Sequence, residues 1–146
     1  MPSDPHDLQR FIDAQEAVYA KVVAELQQGR KRSHWMWFIF PQVVGLGSSS
    51  TAQRFAIASR QQAAAYLAHA VLGRRLIECT RLVLGVDGKT IHDILGSPDD
   101  MKFRSSMTLF DAASAIPIFN EAITKYYPDG KDAATLDILS KLERSK

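Results

Sequence analysis

Apolar residues recur along this chain every three or four positions, and a chain patterned that way buries them by folding into helices. Leu8, Phe11, Ile12, Val18, Tyr19, Val22 and Leu26 trace one stripe, with Asp7, Arg10, Asp13, Lys21 and Glu25 on the other side. One amphipathic helix ending at Gly29 is expected there, capped by Ser3 or Asp4 ahead of Pro5. Leu72, Leu76, Cys79, Thr80 and Val83 share a face of a helix over 72–84, where Glu78 comes within one turn of Arg74 and Arg81. Shorter helical stretches read at 52–58 and 61–70. Thr90-x-x-Asp93 reads as a capping box for a helix closed by Gly96. Ser97 is expected to cap the next helix, with Pro98 in its first turn, running through KFRSSMTLF to about residue 113. Phe119, Ile123 and Tyr126 mark a helix over 117–127, and Leu136, Leu139 and Leu142 a last one capped by Asp132. Only 35–40 has the look of a strand. The expectation is an all-α fold with at most one short extended segment at 35–40, a flexible N-terminus over 1–6 and a single helical domain over 7–146.

Bulk properties narrow the function. A chain of 146 residues with 46% hydrophobic and 23% charged residues is one ordinary globular domain. Eighteen Lys and Arg against sixteen Asp and Glu, a net charge of +2, is too balanced for a general nucleic-acid binder, so no DNA partner is expected. An RNA-associated role for Arg30-Lys31-Arg32 suffers from the same weak charge, whereas a small anion needs only a local cluster. The single cysteine, Cys79, excludes an intramolecular disulfide and is expected to be buried and inert. No Cys/His spacing suggests zinc, so neither a metal site nor a cofactor is expected. The start MPSDPHDLQR lacks the pattern of a signal peptide, and the longest apolar run, 35–40, falls far short of the ~20 residues of a membrane span. The expected setting is the cytoplasm, away from membranes, with no protein partner named by the sequence.

Three stretches depart from plain core-and-surface patterning. In SHWMWFIFPQ (33–42) the aromatics fill a core, but His34 and Gln42 bracket them, and Trp35 next to a basic tripeptide is placed to stack on a base. In GLGSSST (45–51), Gly45 and Gly47 let the backbone approach a ligand and the hydroxyls add donors; the same residues also make an ordinary turn with a serine cap. It is neither a Walker A loop nor a dinucleotide fingerprint. In MKFRSSMTLF (101–110), Phe103, Met107 and Phe110 face a core, which puts Lys102, Ser105 and Ser106 on a neighbouring strip fit to clamp a phosphate or carboxylate. Close helix packing with Lys102 paired to Asp99 or Asp132 is the structural alternative. Acid and base candidates, His34 and Asp99 foremost, are scattered, and their spacing names no reaction.

Together, SHWMWFIFPQ with GLG, AAYLAHAVLGRRLIECT and DDMKFRSSMTLF make the chain resemble the bacterial domain of unknown function (DUF) family 1810 over residues 11–139. The resemblance implies a small helical domain and carries no assigned activity. The family pattern lands on His34, Trp35, Trp37, Phe40, Pro41, Gln42, Gly45, Gly47, Tyr66, Leu67, Leu72, Gly73, Leu76, Asp99, Lys102, Ser105, Ser106, Thr108, Leu109, Phe110, Asp132 and Thr135. The chain departs from it at Gln62, where Glu is usual and a surface helix is expected, and at Ala70, where Pro is common. A fainter similarity to the NADAR (NAD- and ADP-ribose-associated) proteins suggests a ligand class only, at the level of fold analogy.

The expected function is binding of an ADP-ribose-like or phosphorylated ribosyl metabolite, with N-glycosidic hydrolysis as its reaction if the protein is an enzyme. Gln42, Gly45, Gly47, Lys102, Ser105 and Ser106 would hold the ligand, Trp35 would wall the base or sugar, and His34 or Asp99 would handle protons. The alternative is a non-catalytic protein-interaction module whose exposed aromatic segment docks a partner.

Overall fold

The computed structural model describes residues 4–144. The first five helices are α1 (Gln9–Glu16), α2 (Tyr19–Gln27), α3 (Met36–Ile39), α4 (Ser50–Arg54) and α5 (Arg60–Ala68). They are followed by α6 (Leu72–Leu84), α7 (Ile91–Leu95), α8 (Asp99–Ala113), α9 (Pro117–Tyr126) and α10 (Ala133–Arg144). Helices α5 and α9 each pack on both α6 and α8, and these four form the body of the molecule. Helices α7 and α10 lie along α8, α2 along α6, and α1 against α3. The fold is all-α, as the periodicity requires. None of the described helices is long and apolar enough to cross a membrane.

Helix α6 is amphipathic in the expected register, with Leu72, Leu76, Cys79, Thr80 and Val83 buried. Gly73 lets it meet the end of α5, since a Cβ there would stand 2.0 Å from the Leu67 carbonyl oxygen. Burial pushes the Cys79 thiol up to about 12, which makes it inert. Glu78 faces outward and accepts the Tyr19 hydroxyl at 2.7 Å. Helix α8 is different. From Ser105 to Phe110 every residue is buried, because neighbours cover it on all sides. Its hydroxyls bond back along the helix, Ser105 Oγ donating to the Met101 carbonyl and Thr108 Oγ1 to that of Arg104. Rings join the elements: Phe40 meets Phe103 edge-on at 4.8 Å, Phe11 meets Tyr66 at 5.1 Å, and Phe110 touches Tyr66 and Phe119. The capping box of Thr90 and Asp93 forms as read.

Several elements differ from the expectation. The segment 35–40 is not extended: its buried residues Met36, Ile39 and Phe40 follow helical spacing, and the chain makes one helical turn there. The single extended pairing among the described residues comes later, a parallel bridge between Val43 and Ile57. The expected N-terminal helix is two helices, bent at Ala17 and Val18. Pro98 rather than Ser97 is the N-cap residue of α8, and no side chain caps it. Of the leucines that mark α10, Leu139 is buried and Leu136 is 40% exposed. Of the N-terminal residues expected to be flexible, 1–3 lie outside the described residues. Asp4 accepts the Leu8 and Gln9 amides at 2.8 and 3.0 Å, and the His6 carbonyl accepts from Gln62 Nε2 at 3.0 Å. Gln62 is thus buried rather than on the surface, its Oε1 taking the Ala58 amide. An amide can make both bonds, whereas a carboxylate cannot donate to His6.

Glu25, assigned to the solvent side by its charge, is only 5% exposed. Burial raises its pKa, but four bonds outweigh that: Ser33 Oγ donates at 2.6 Å, the Arg32 amide at 2.7 Å, Trp35 Nε1 at 3.0 Å and the Ser33 amide at 3.1 Å. The carboxyl is held at about 2, below its ordinary 4.5. Since the folded value is the lower one, this contribution is complete above about 4.5 and is lost as pH falls towards 2. Unfolding free energy should therefore drop through that window more steeply in the wild type than in Glu25→Gln, as followed by urea denaturation at graded pH. Truncating Phe103, fully buried against Phe40, should cost ~3–5 kcal/mol in the same assay at neutral pH.

Candidate functional site

The turn after Pro41 and the flank of α8 enclose a two-lobed cleft. One lobe, of about 360 Å³, is mainly apolar and lined by Trp37, Val43, Val44, Gly45, Phe55 and Ala56. The other, of about 420 Å³, is lined by Ser48 and Ser49 of the loop, Met101, Lys102 and Ser105 of α8, and Asp132 and Ala134 at the start of α10. Gln42, Gly47 and Ala52 border both. The lobes together are the size and character of a small-molecule site, apolar with a few convergent polar groups.

Each element reaches the cleft for a local reason. Gly45 has φ +96°, a backbone state that L side chains rarely adopt. A Cβ on Gly47 would stand 2.5 Å from that of Ala52, so the loop needs glycine there to close on α4. Ser49 Oγ accepts the Ala52 amide at 3.1 Å and Gln53 Nε2 donates to the Ser48 carbonyl at 2.9 Å. The glycines and Ser49 thus build the turn itself. On the far side, Arg104 donates to the Gly130 and Lys131 carbonyls, and Thr108 Oγ1 accepts the Asp132 amide at 2.9 Å. Asp132 Oδ2 then accepts three donors, Thr135 Oγ1 at 2.6 Å, the Thr135 amide at 3.1 Å and Ser105 Oγ at 3.1 Å.

The charges around Lys102 form a chain. Lys31 Nζ lies 2.8 Å from Asp99 Oδ2, with only 8% of its side chain exposed, and Lys102 Nζ lies 3.7 Å from Asp99 Oδ1. Lys102 also stands over the Trp37 ring, 5.3 Å from its centroid, and is 27% exposed. Asp99 is therefore an ion-pair partner first, and Lys31 is its main counter-ion.

Five of the nine residues predicted from the sequence line the cleft: Gln42, Gly45, Gly47, Lys102 and Ser105. Four do not. His34 is exposed outside it. Trp35 is 1% exposed, its indole N–H spent on Glu25, so it walls the core. Asp99 stands behind Lys102. Ser106 is fully buried between Phe103 and Phe110 on the core face, with no hydrogen-bond partner for its hydroxyl. The aromatic wall is Trp37, which the sequence reading passed over; helical spacing of Met36, Ile39 and Phe40 was the signal that points it outward. Asp132, expected as a helix cap and as an alternative ion-pair partner of Lys102, also lines the cleft. Among the described residues, no three of His, Cys, Asp and Glu are grouped as metal ligands would be.

The comparisons with known proteins agree with the motif resemblance. The model of the family described as protein of unknown function (DUF1810) matches residues 5–139. The chain is 54% identical to the conserved hypothetical protein Rv1873 from Mycobacterium tuberculosis, and its fold matches that crystal structure with a TM-score of 0.92 over 94% of this chain and 99% of that one. No curated protein matches.

The ion-pair geometry separates the two lysines. Lys31→Ala removes the close partner of a largely buried carboxylate and should cost ~1–3 kcal/mol of stability. Lys102→Ala leaves Asp99 paired and should cost under ~1 kcal/mol, the scale of a partly exposed cation on a ring. Thermal melts of the two ligand-free variants check this, and an equal or reversed order would refute the ranking.

Proposed function

The chain belongs to the DUF1810 family of proteins of unknown function, and from its cleft we propose that it binds a phosphorylated ribosyl or ADP-ribose-like metabolite. The observation that carries the reading is the pairing of Lys102 with Trp37 at the meeting of the two lobes. Trp37 offers a face for a base, since a planar heterocycle stacks on indole whatever its substituents. Lys102, with the Ser48 hydroxyl beside it in the polar lobe, offers donors to phosphate, the Ser105 hydroxyl being held by Met101 and Asp132. Gln42 at the junction carries both a donor and an acceptor for a base edge or sugar hydroxyl. The ribosyl part of the reading rests on this chemistry, since the family and structural matches give the NADAR similarity no support.

Binding is better supported than hydrolysis. A glycosidic hydrolase needs a carboxylate or imidazole poised to activate water beside the bond. Neither His34 nor Asp99 lines the cleft, and one oxygen of Asp132 is engaged by three donors. A protein-interaction role is favoured by one observation: Val44 and Met101, on the walls of the two lobes, are 39% and 50% exposed.

Trp37 supplies the assay. Titration of the protein with adenosine monophosphate, ADP-ribose and ribose 5-phosphate should give saturable binding by calorimetry, and the two nucleotides should quench the Trp37 emission. Lys102→Ala should weaken binding by ~1.5–3 kcal/mol, the loss of a charge-assisted bond, at nearly unchanged apo stability. Absence of binding by all three ligands, or unaltered affinity in Lys102→Ala, would overturn the reading in favour of the protein-interaction role.

A further inference from the structure

Building on the cleft reading and narrowing it to its phosphorylated ribosyl branch, we propose that the polar lobe recognises a singly phosphorylated, hydroxyl-rich ligand, a sugar phosphate or nucleoside monophosphate, and takes diphosphates, ADP-ribose among them, more weakly. Two observations carry this. The first is the unequal use of the two Asp132 oxygens. Oδ2 is saturated by Ser105 and by both donors of Thr135, whereas Oδ1 has no partner among the described residues, on a side chain that lines the lobe. An ionised carboxylate is an acceptor only, so what it takes from a ligand is a hydrogen-bond donor. The bonds to Oδ2 anchor the group to both α8 and α10, which makes Oδ1 a positioned acceptor. A sugar hydroxyl is the matching group, and charge-assisted bonds of this kind are the strong ones.

The second observation is the charge balance. Among the described residues lining the lobe only Lys102 and Asp132 are ionic, one of each sign, and Lys102 is already shared with Asp99, which Lys31 also meets. Among the described residues Lys102 is the one cation lining the lobe. A single phosphate finds its partner there, and a second phosphate would be placed towards Asp132 with no cation of its own, where like charges repel. Sites that hold diphosphates meet them with several cations, a metal ion or a run of free amides. Here the loop's Ser49 hydroxyl and the amide of Ala52 are bonded to each other.

Two probe pairs test the proposal by calorimetry on the wild-type chain. Ribose 5-phosphate should bind about tenfold or more tightly than pentyl phosphate, which has the same charge and no hydroxyls. Adenosine monophosphate should bind at least as tightly as adenosine diphosphate. In Asp132→Asn, whose side-chain oxygen still accepts from Thr135, the first preference should shrink towards unity and the second should reverse. Equal binding of the first pair, or tighter binding of the diphosphate by the wild type, overturns the proposal and leaves the cleft reading standing. No binding by any of the four overturns both. If Asp132→Asn does not fold, the wild-type comparison decides alone.

Discussion

The carboxylate of Glu25 is buried and ionised at once, and the order of the chain after α2 depends on how that is achieved. An isolated charge in a protein interior is costly, so the group persists only because four donors surround it. Those donors come from three residues within four positions, Arg32, Ser33 and Trp35. The carboxylate therefore fixes the path by which the chain leaves α2 and delivers Trp35 into the core. Once Trp35 is placed, the helical turn behind it sets Phe40 against Phe103 and leaves Trp37 facing the cleft. A basic tripeptide that resembles a binding motif is here largely an anchoring loop, with Lys31 held by Asp99 and the Arg32 amide by Glu25.

Helix α8 does for the second half of the chain what Glu25 does for the first. Covered by α5, α7, α9 and α10, it has no solvent face over its middle turns, and Ser105, Ser106 and Thr108 are buried along with Met107 and Phe110. Small hydroxyl side chains suit such a helix because they allow close approach, and those of Ser105 and Thr108 bond to the preceding turn. Its two ends reach the surface, and at the N-terminal one, at Met101 and Lys102, it meets the glycine loop and the start of α10. The cleft lies where a crowded helix emerges, with its walls held by hydrogen bonds from both neighbours. Glycine, in that loop, serves the fold before any ligand: Gly45 for a left-handed backbone and Gly47 for contact with Ala52.

Much of the helical layout and most of one wall of the site were legible in the residues themselves. Spacing of three and four marks α6, α8, α9 and α10, and the caps at Thr90 and Asp132 follow from a side-chain oxygen meeting free amides. Gln42, Gly45, Gly47, Lys102 and Ser105 could be singled out because polar and glycine residues inside apolar patterns need a reason. The readings that failed share a cause. Ser106, Glu25 and Gln62 were placed outside by polarity, yet each is buried where local packing or donors accept it.

The sequence by itself determined the helical class, the buried cysteine and the core-facing aromatics of 33–42 and 101–110, because each follows from periodicity or from the chemistry of neighbours along the chain. Only the tertiary structure decided which tryptophan faces the cleft, that Lys31 rather than Lys102 is the close partner of Asp99, and that Asp132 lines the polar lobe with one oxygen held by Ser105 and Thr135. Those outcomes rest on contacts between residues tens of positions apart. Whether a polar side chain is spent inside the fold or left for a ligand depends on what the other helices bring to it.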